Sequence, residues 1–179
     1  MNTAVIELLA KRRTVRHFTD QEVPDEAIAA LLEAAFYAPS YLNRRPAHFV
    51  VVRNKEVQQR LGSTLSVRPY VQDASAVIVL SADPELSTAW PADLAAAGEN
   101  ILIAATGLGL GAAWVGNPFG AAWDTRESEI RELLAIPDKM RILGLIAIGY
   151  AAEHPEPHTK DGSWDNLRVH YGTFSDYRL

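Results

Sequence analysis

Lys11, Arg12, Arg13, Thr14, Arg16 and His17 crowd four cations, a hydroxyl and an imidazole into seven residues of a chain whose formal net charge is −5. Arg12 and Arg16 stand four apart, and Arg13 and Arg16 three apart, so a helical turn running into a loop would converge their side chains on one group. A phosphate suits that geometry. The planar guanidinium fork takes two phosphate oxygens at once, each charge-assisted bond contributes roughly 1.5 to 3 kcal/mol, and Thr14 adds a donor between the arginines. The overall acidity disfavours DNA, RNA and acidic membranes, which select basic surfaces, so a small anionic ligand explains the cluster better than a polymer. The competing reading of the same spacing is a solvated basic helix end.

Other chemistries lack their minimal parts. With no cysteine there is no disulfide, thiolate zinc site, thiol nucleophile or cysteine-ligated cluster. His154 and His158 are four apart, but Pro155 and Pro157 exclude the helical turn that would align two imidazoles, so no metal site is expected. Gly107, Gly109 and Gly111 imitate a dinucleotide-binding loop, yet that loop must follow a strand and open a helix, and this one closes a helix. No P-loop, nucleophile elbow or HExxH occurs, and no Ser, His and acid trio stands out. Trp90, Trp114, Trp123 and Trp164 could shape an aromatic pocket, although core packing is the commoner use of such residues.

The elements that must position the cluster are legible from apolar periodicity. Residues 3–12 place Val5, Leu8 and Leu9 at helical spacing, and a second amphipathic helix opens at Pro24 and carries Ile28, Leu31, Leu32, Ala35 and Phe36. Pro39 ends it, and SYLNRRP reads as a loop. HFVVVR at 48–53, SAVIVLS from Ser75 and ILGLIAIGYA from Ile142 have the β-branched density of buried strands and are expected to pair in one sheet. Between them, residues 93–109 form a long apolar helix with Asp93 near its N-terminus and glycines at its end, and 125–135 form a shorter one. The pattern is a mixed α and β single domain over residues 1–179, without regular βαβ alternation.

A domain of 179 residues with 48% apolar and 22% charged residues buries a core without disulfides. No apolar run approaches the ~20 residues of a membrane span. The opening MNTAVIELLAKRR is interrupted by Glu7, carries its cations on the wrong side for a secretory signal and meets no cleavage site, so a soluble, cytoplasmic protein is expected. Beyond Gly149 the chain turns polar and proline-rich, then ends in WDNLRVHYGTFSDYRL, too apolar for a free tail. That tail, about residues 155–179, is expected to pack on a second subunit.

KRRTVRHF at 11–18 resembles the N-terminal FMN phosphate signature of the nitroreductase family: a basic pair, a Ser or Thr, a further basic residue and an aromatic. APSYLNRRPAHFVVV at 38–52 is similar to the family's Pro-Ser-x-x-Asn-x-Gln-Pro-Trp-x-Phe segment, matching at Pro39, Ser40, Asn43, Pro46 and Phe49 and departing at Arg45 for glutamine and Ala47 for tryptophan. GLGLGAAWVGNP at 107–118 resembles the flavin-edge segment, and LGLIAIGYAAE the late core strand, so the resemblance spans nearly the whole chain in order.

The resemblance implies an α+β fold with a central, mainly antiparallel sheet flanked by helices, in an interlocked homodimer with tightly bound FMN at the interface. It places Arg12, Arg13, Thr14 and Arg16 on the phosphate and ribityl chain, with Pro39, Ser40, Tyr41 and Asn43 approaching the same flavin from the partner subunit. Val115 and Gly116 fall at the backbone positions beside the flavin N5 edge, and Lys160 or Arg168 would supply a late basic contact. The implied reaction is ping-pong transfer from NAD(P)H through flavin to a nitroaromatic, quinone or other conjugated acceptor, with the flavin rather than a side chain as the catalyst. Dehalogenation, flavin fragmentation, azoline oxidation and non-catalytic flavin sensing are alternatives on the same fold. Arg45 and Ala47 either reshape the acceptor pocket or favour an anionic acceptor, or they are neutral variation.

Overall fold

The computed structural model describes residues 3–65, 70–120, 122–160 and 168–174. Four strands, β1 (Ala47–Val52), β2 (Ala76–Ala82), β3 (Gly111–Val115) and β4 (Arg141–Gly149), pair in the order β1-β2-β4-β3, and every pair is antiparallel. The three β-branched runs therefore lie side by side as the pattern predicts. Every residue of β2 is buried, and only Arg141 of β4 is not, because helices cover both faces of these two central strands.

Strand alternation divides the core in two. Ala76, Ile78 and Leu80 of β2 point to a layer built with Leu31 and Ile28 of α2 (Asp25–Phe36) and with Leu94 and Ile101 of α5 (Trp90–Gly107). Val77 and Val79 point the other way, to Leu61 of α3 (Lys55–Leu65), Tyr70 of α4 (Tyr70–Asp73) and Trp123 and Ile130 of α6 (Trp123–Leu134). The result is a helix–sheet–helix sandwich. α5 closes as its glycines predict: Gly109 adopts φ 73, and the Leu110 N–H donates to the Ala105 carbonyl at 2.8 Å, a Schellman closure.

Helix α1 (Ala4–Lys11) behaves differently from the rest. Its apolar residues follow the helical period, yet it buries none of them: Val5 is 68% and Ile6 65% exposed. Beyond α1 the chain runs extended along the sheet edge, where Thr14 bridges Ala112 and the Val15 N–H donates to the Ala112 carbonyl at 3.0 Å. Phe18 bridges Ala151, and the Ala152 N–H donates to the His17 carbonyl at 2.8 Å.

The start of the tail is tied to its own chain, since the His158 N–H donates to the Ala10 carbonyl at 2.8 Å. Trp164, Leu167 and residues 175–179 of the expected partner-packing tail lie outside the described residues. Among the described residues no helix is long and apolar enough to cross a membrane.

Candidate functional site

The sheet edge brings Arg12, Arg13, Thr14, Arg16 and His17 together on one open cavity of about 510 Å³, which Glu153, Pro155 and His158 also line. The convergence is real, but its geometry is not the helical turn that the spacing predicts. α1 stops at Lys11, and Arg12 already has extended dihedrals (φ −64, ψ 117). The bridge of Thr14 to Ala112 and the Val15 N–H bond to the Ala112 carbonyl hold the segment extended along β3, with Val15 buried, so the arginines meet by the path of an extended chain and not on one face of a helix.

Each guanidinium also has a partner within the chain. Arg12 Nε lies 3.4 Å from Glu99 Oε1 of α5, Arg13 donates to the Glu156 carbonyl, and Arg16 stacks 5.9 Å from the centroid of the Tyr70 ring. These partners fix the side chains around the cavity without filling it.

Glu153 is a residue of the site that sequence reasoning missed. Its carboxylate accepts the Arg16 N–H and, at 3.1 Å, the His17 N–H, so it straps the end of β4 to the arginine segment. The Arg16 amide, followed by that of His17, holds the carboxyl below the usual carboxylate range against the opposing effect of its partial burial. The contact joins residues more than 130 positions apart, and nothing local in AAEHPEP announces it.

The second family-like segment lines a separate pocket of about 300 Å³ between the end of α2 and the start of α5. Pro39, Ser40 and Arg45 are on its wall; Tyr41 and Asn43 are in the adjoining turn and exposed. The turn is backbone-strained, with Leu42, Asn43 and Arg45 at φ 48, 55 and 49, a region that costs roughly 1–2 kcal/mol for residues other than Gly, Asn and Asp.

What holds it is Asp93, 7% exposed, whose Oδ1 accepts the Tyr41 N–H at 2.8 Å while Oδ2 accepts the Ser87 hydroxyl at 2.6 Å. The Arg45 N–H donates to Ser40 Oγ at 3.0 Å and Arg45 Nε to Asn43 Oδ1 at 3.0 Å. Asp93 is thus a loop anchor inside the first turn of α5, not the cap that its position suggests; the helix starts earlier, at Trp90, with Pro91 in the position where a missing N–H costs nothing.

Val115 ends β3 buried, and Gly116 follows at φ 126. A Cβ at Gly116 would lie 2.7 Å from the Trp123 ring and 2.8 Å from the Gly144 backbone, so glycine is required there by the chain's own packing. Lys160 and Arg168 flank the stretch 161–167, both are exposed, and neither lines the arginine cavity. Of the four tryptophans, Trp123 is core, donating from Nε1 to the Ile142 carbonyl at 3.1 Å, whereas Trp90 and Trp114 are half-buried at the core's edge and Trp164 is outside the described residues.

The Nitroreductase family profile matches residues 9–89 and 67–150. A protein of Archaeoglobus fulgidus provisionally named NADH dehydrogenase/NAD(P)H nitroreductase is 34% identical over 169 residues, 92% of this chain and 95% of its own. An FMN-dependent nitroreductase of Clostridium difficile superposes with a TM-score of 0.89 at 32% identity, over 94% of this chain and 99% of that one. A provisionally named nitroreductase of Desulfovibrio desulfuricans, solved in complex with FMN, superposes with a TM-score of 0.79 at 28% identity, over 89% of this chain and 92% of that one. With its antiparallel sheet, its edge-held arginine segment and these matches over nearly its whole length, the chain belongs to the nitroreductase family.

Proposed function

We propose that the protein is an FMN-dependent oxidoreductase that passes reducing equivalents from NAD(P)H to a nitroaromatic, a quinone or another conjugated acceptor, as a homodimer with FMN at the subunit interface. The observation that carries this reading is the cavity that three arginines and a threonine line together on a chain of net charge −5. The donor set fits a phosphate dianion. Three fixed cations stand against one carboxylate, Glu153, which already accepts two backbone N–H groups.

The internal partners do not compete strongly. Glu99 is about half exposed, and an exposed pair of that kind contributes at most ~1 kcal/mol, less than a charge-assisted bond to phosphate. Arg12, Arg13, Thr14 and Arg16 would hold the phosphate and ribityl chain, with Lys160 or Arg168 as a late basic contact. Pro39, Ser40, Tyr41 and Asn43 of the partner subunit would meet the same flavin, and the backbone at Val115 and Gly116 would approach the reactive edge of its ring.

FMN held there would supply the redox chemistry, with NAD(P)H as the reductant and the conjugated acceptor as the oxidant of a ping-pong sequence. The chain's part is placement. The strained turn held by Asp93 fixes Ser40 and Asn43, and the packing of Gly116 against Trp123 fixes the strand end beside them in function. The uncovered apolar residues support a second copy: Val5 and Ile6 on α1, and Phe36, Tyr37, Tyr41 and Leu42 around the turn, are all more than half exposed in a single chain. The whole of 1–179 acts on this reading as one domain, its tail beyond His158 reaching the partner.

The test begins with purification without added cofactor, a visible spectrum and identification of any released flavin. Arg12→Ala and Arg16→Ala should each weaken FMN retention by roughly 10- to 100-fold, the equivalent of one charge-assisted bond. Wild-type retention in both variants would remove the arginine assignment, and a colourless protein that takes up no FMN would overturn the function. NADH oxidation coupled to menadione separates an oxidoreductase from a silent flavin binder.

A further inference from the structure

The pocket between α2 and α5 is walled mainly by apolar groups, among them Phe36, Pro39, Pro46, Ala47 and Ala97. At about 300 Å³ it stands at the small end of ligand pockets, a size for one substituted ring and not for a dinucleotide. Two charged residues line it. Asp93 directs one oxygen to the Tyr41 N–H and the other to the Ser87 hydroxyl, so its acceptors are engaged by the chain.

Arg45 is held in the opposite manner. Its backbone N–H is fixed by Ser40 and its Nε by Asn43, and its own φ of 49 is one of three left-handed values in the turn. Its two terminal nitrogens make no hydrogen bond or ion pair among the described residues, whereas Arg12, Arg53, Arg131 and Arg141 each meet a carboxylate. Arg45 is exposed at the rim of the pocket, and the two bonds fix its stem there. Holding the stem while leaving the fork's outer edge open is the arrangement that lowers the ordering cost of meeting an anion.

From this we infer that Arg45 is a specificity determinant selecting flat acceptors that carry a carboxylate, with the ring seated among the pocket's apolar walls and the carboxylate on the open edge of the guanidinium. The inference rests on the oxidoreductase reading, because Pro39 and Ser40 of the same wall are the residues proposed to meet the flavin, which sets the pocket beside the reducing centre.

The test compares 4-nitrobenzoate with its uncharged counterpart 4-nitrobenzamide on FMN-loaded wild type, Arg45→Gln and Arg45→Lys. Glutamine carries the same backbone strain and removes the charge together with the Nε bond to Asn43, so the uncharged benzamide serves as the control for any change in the turn itself. Wild type should favour the benzoate in kcat/KM, Arg45→Gln should lower that ratio on the order of tenfold, mainly through KM, and Arg45→Lys should fall between.

Calorimetric titration with benzoate and benzamide gives a second readout that needs no turnover: benzoate affinity should drop by a similar factor in Arg45→Gln, and benzamide affinity should not. An equal ratio in wild type and Arg45→Gln, or loss of FMN from Arg45→Gln with the ratio unmoved, overturns the proposal and leaves the oxidoreductase reading standing. If FMN-loaded wild type reduces neither compound, the nitroaromatic part of the acceptor class fails instead, and quinone turnover is judged by the menadione assay. The titration alone then decides Arg45: a benzoate-selective drop supports it, and equal affinities refute it.

Discussion

Replacing Asp93 tests how the site is held. Its carboxylate is 7% exposed and accepts two hydrogen bonds, from the Tyr41 N–H at 2.8 Å and the Ser87 hydroxyl at 2.6 Å. Bonds to a charged acceptor contribute roughly 1.5 to 3 kcal/mol each, which sets a ceiling of ~3 to 6 kcal/mol for Asp93→Ala. Two effects pull the figure down. The variant no longer buries a charge, and a released turn recovers part of the strain at Leu42 and Arg45, roughly 1–2 kcal/mol for each residue that relaxes.

A net loss of about 2 to 4 kcal/mol remains, or a fall in Tm of about 4–16 °C for a chain of this length. Asp93→Asn keeps an acceptor for Tyr41 and offers an amide donor to Ser87 Oγ, losing only the charge, and should cost about half as much. Denaturant and thermal unfolding at one fixed protein concentration, with and without FMN, measure both. Below the melting range Asp93→Ala should also bind FMN more weakly, since the turn it frees carries Ser40 and Asn43. An alanine variant within ~0.5 kcal/mol of wild type, or an asparagine variant as costly as alanine, would refute the anchor.

Gly116→Ala should lose more than ~2 kcal/mol, because φ 126 excludes a side chain and the new Cβ would press on Gly144 backbone at 2.8 Å; a wild-type melting curve would mean the strand end yields. Glu153 gives a signed pH effect. Its folded value lies below the ordinary 4.5, so its contribution is fully present above that pH and is lost as pH falls through the lower folded value. The stability gap between wild type and Glu153→Gln should therefore close on acidification, and a gap constant from pH 7 to pH 3 would show that the carboxylate does not hold Arg16 and His17. Co-expression of differently tagged Arg16→Ala and Asn43→Ala chains tests the shared site: in the mixed dimer, isolated by both tags, one site inherits both defects and the other neither, so its FMN occupancy should recover to about half, and no recovery would mean that both residues serve one subunit's site.

Much of the fold was open to sequence reading because its central strands are unusually apolar. β2 and β4 lie in the middle of the sheet with helices on both faces, which is the condition under which a strand becomes a continuous β-branched run. β3 does not read as a strand: GAAWV offers small residues in place of β-branched ones, and at Gly111 the reason is the arginine segment itself, since a Cβ there would lie 2.6 Å from the Val15 side chain. α3 was hidden for another reason. KEVQQRLGSTL is polar along most of its length, and Gln58 stands fully buried where a hydrophobic residue would have marked the core face; its amide reaches the Ala74 carbonyl at 3.2 Å. Conversely, α1 satisfies the helical period and still buries nothing, since periodicity reports that a face is apolar and not what covers it.

The site was legible as composition and not as geometry. Four cations in seven residues of an acidic chain stand out in any reading, but the spacing of Arg12 and Arg16 serves a helix and an extended strand alike: four residues bring side chains to one face in both. Pairing with Ala112, nearly a hundred residues away, decides between them. The arginine cavity and the pocket at residues 35–47 then share no lining residue within one chain, although both motifs belong to one family signature. The first has fixed charge and little apolar wall; the second has apolar wall and a single open cation. A cofactor with a phosphate at one end and a flat ring at the other needs both. On the proposed reading each chain supplies the charge to one flavin and the wall to the other, so the separation of the cavities within a chain is what makes flavin binding and dimer formation a single linked equilibrium.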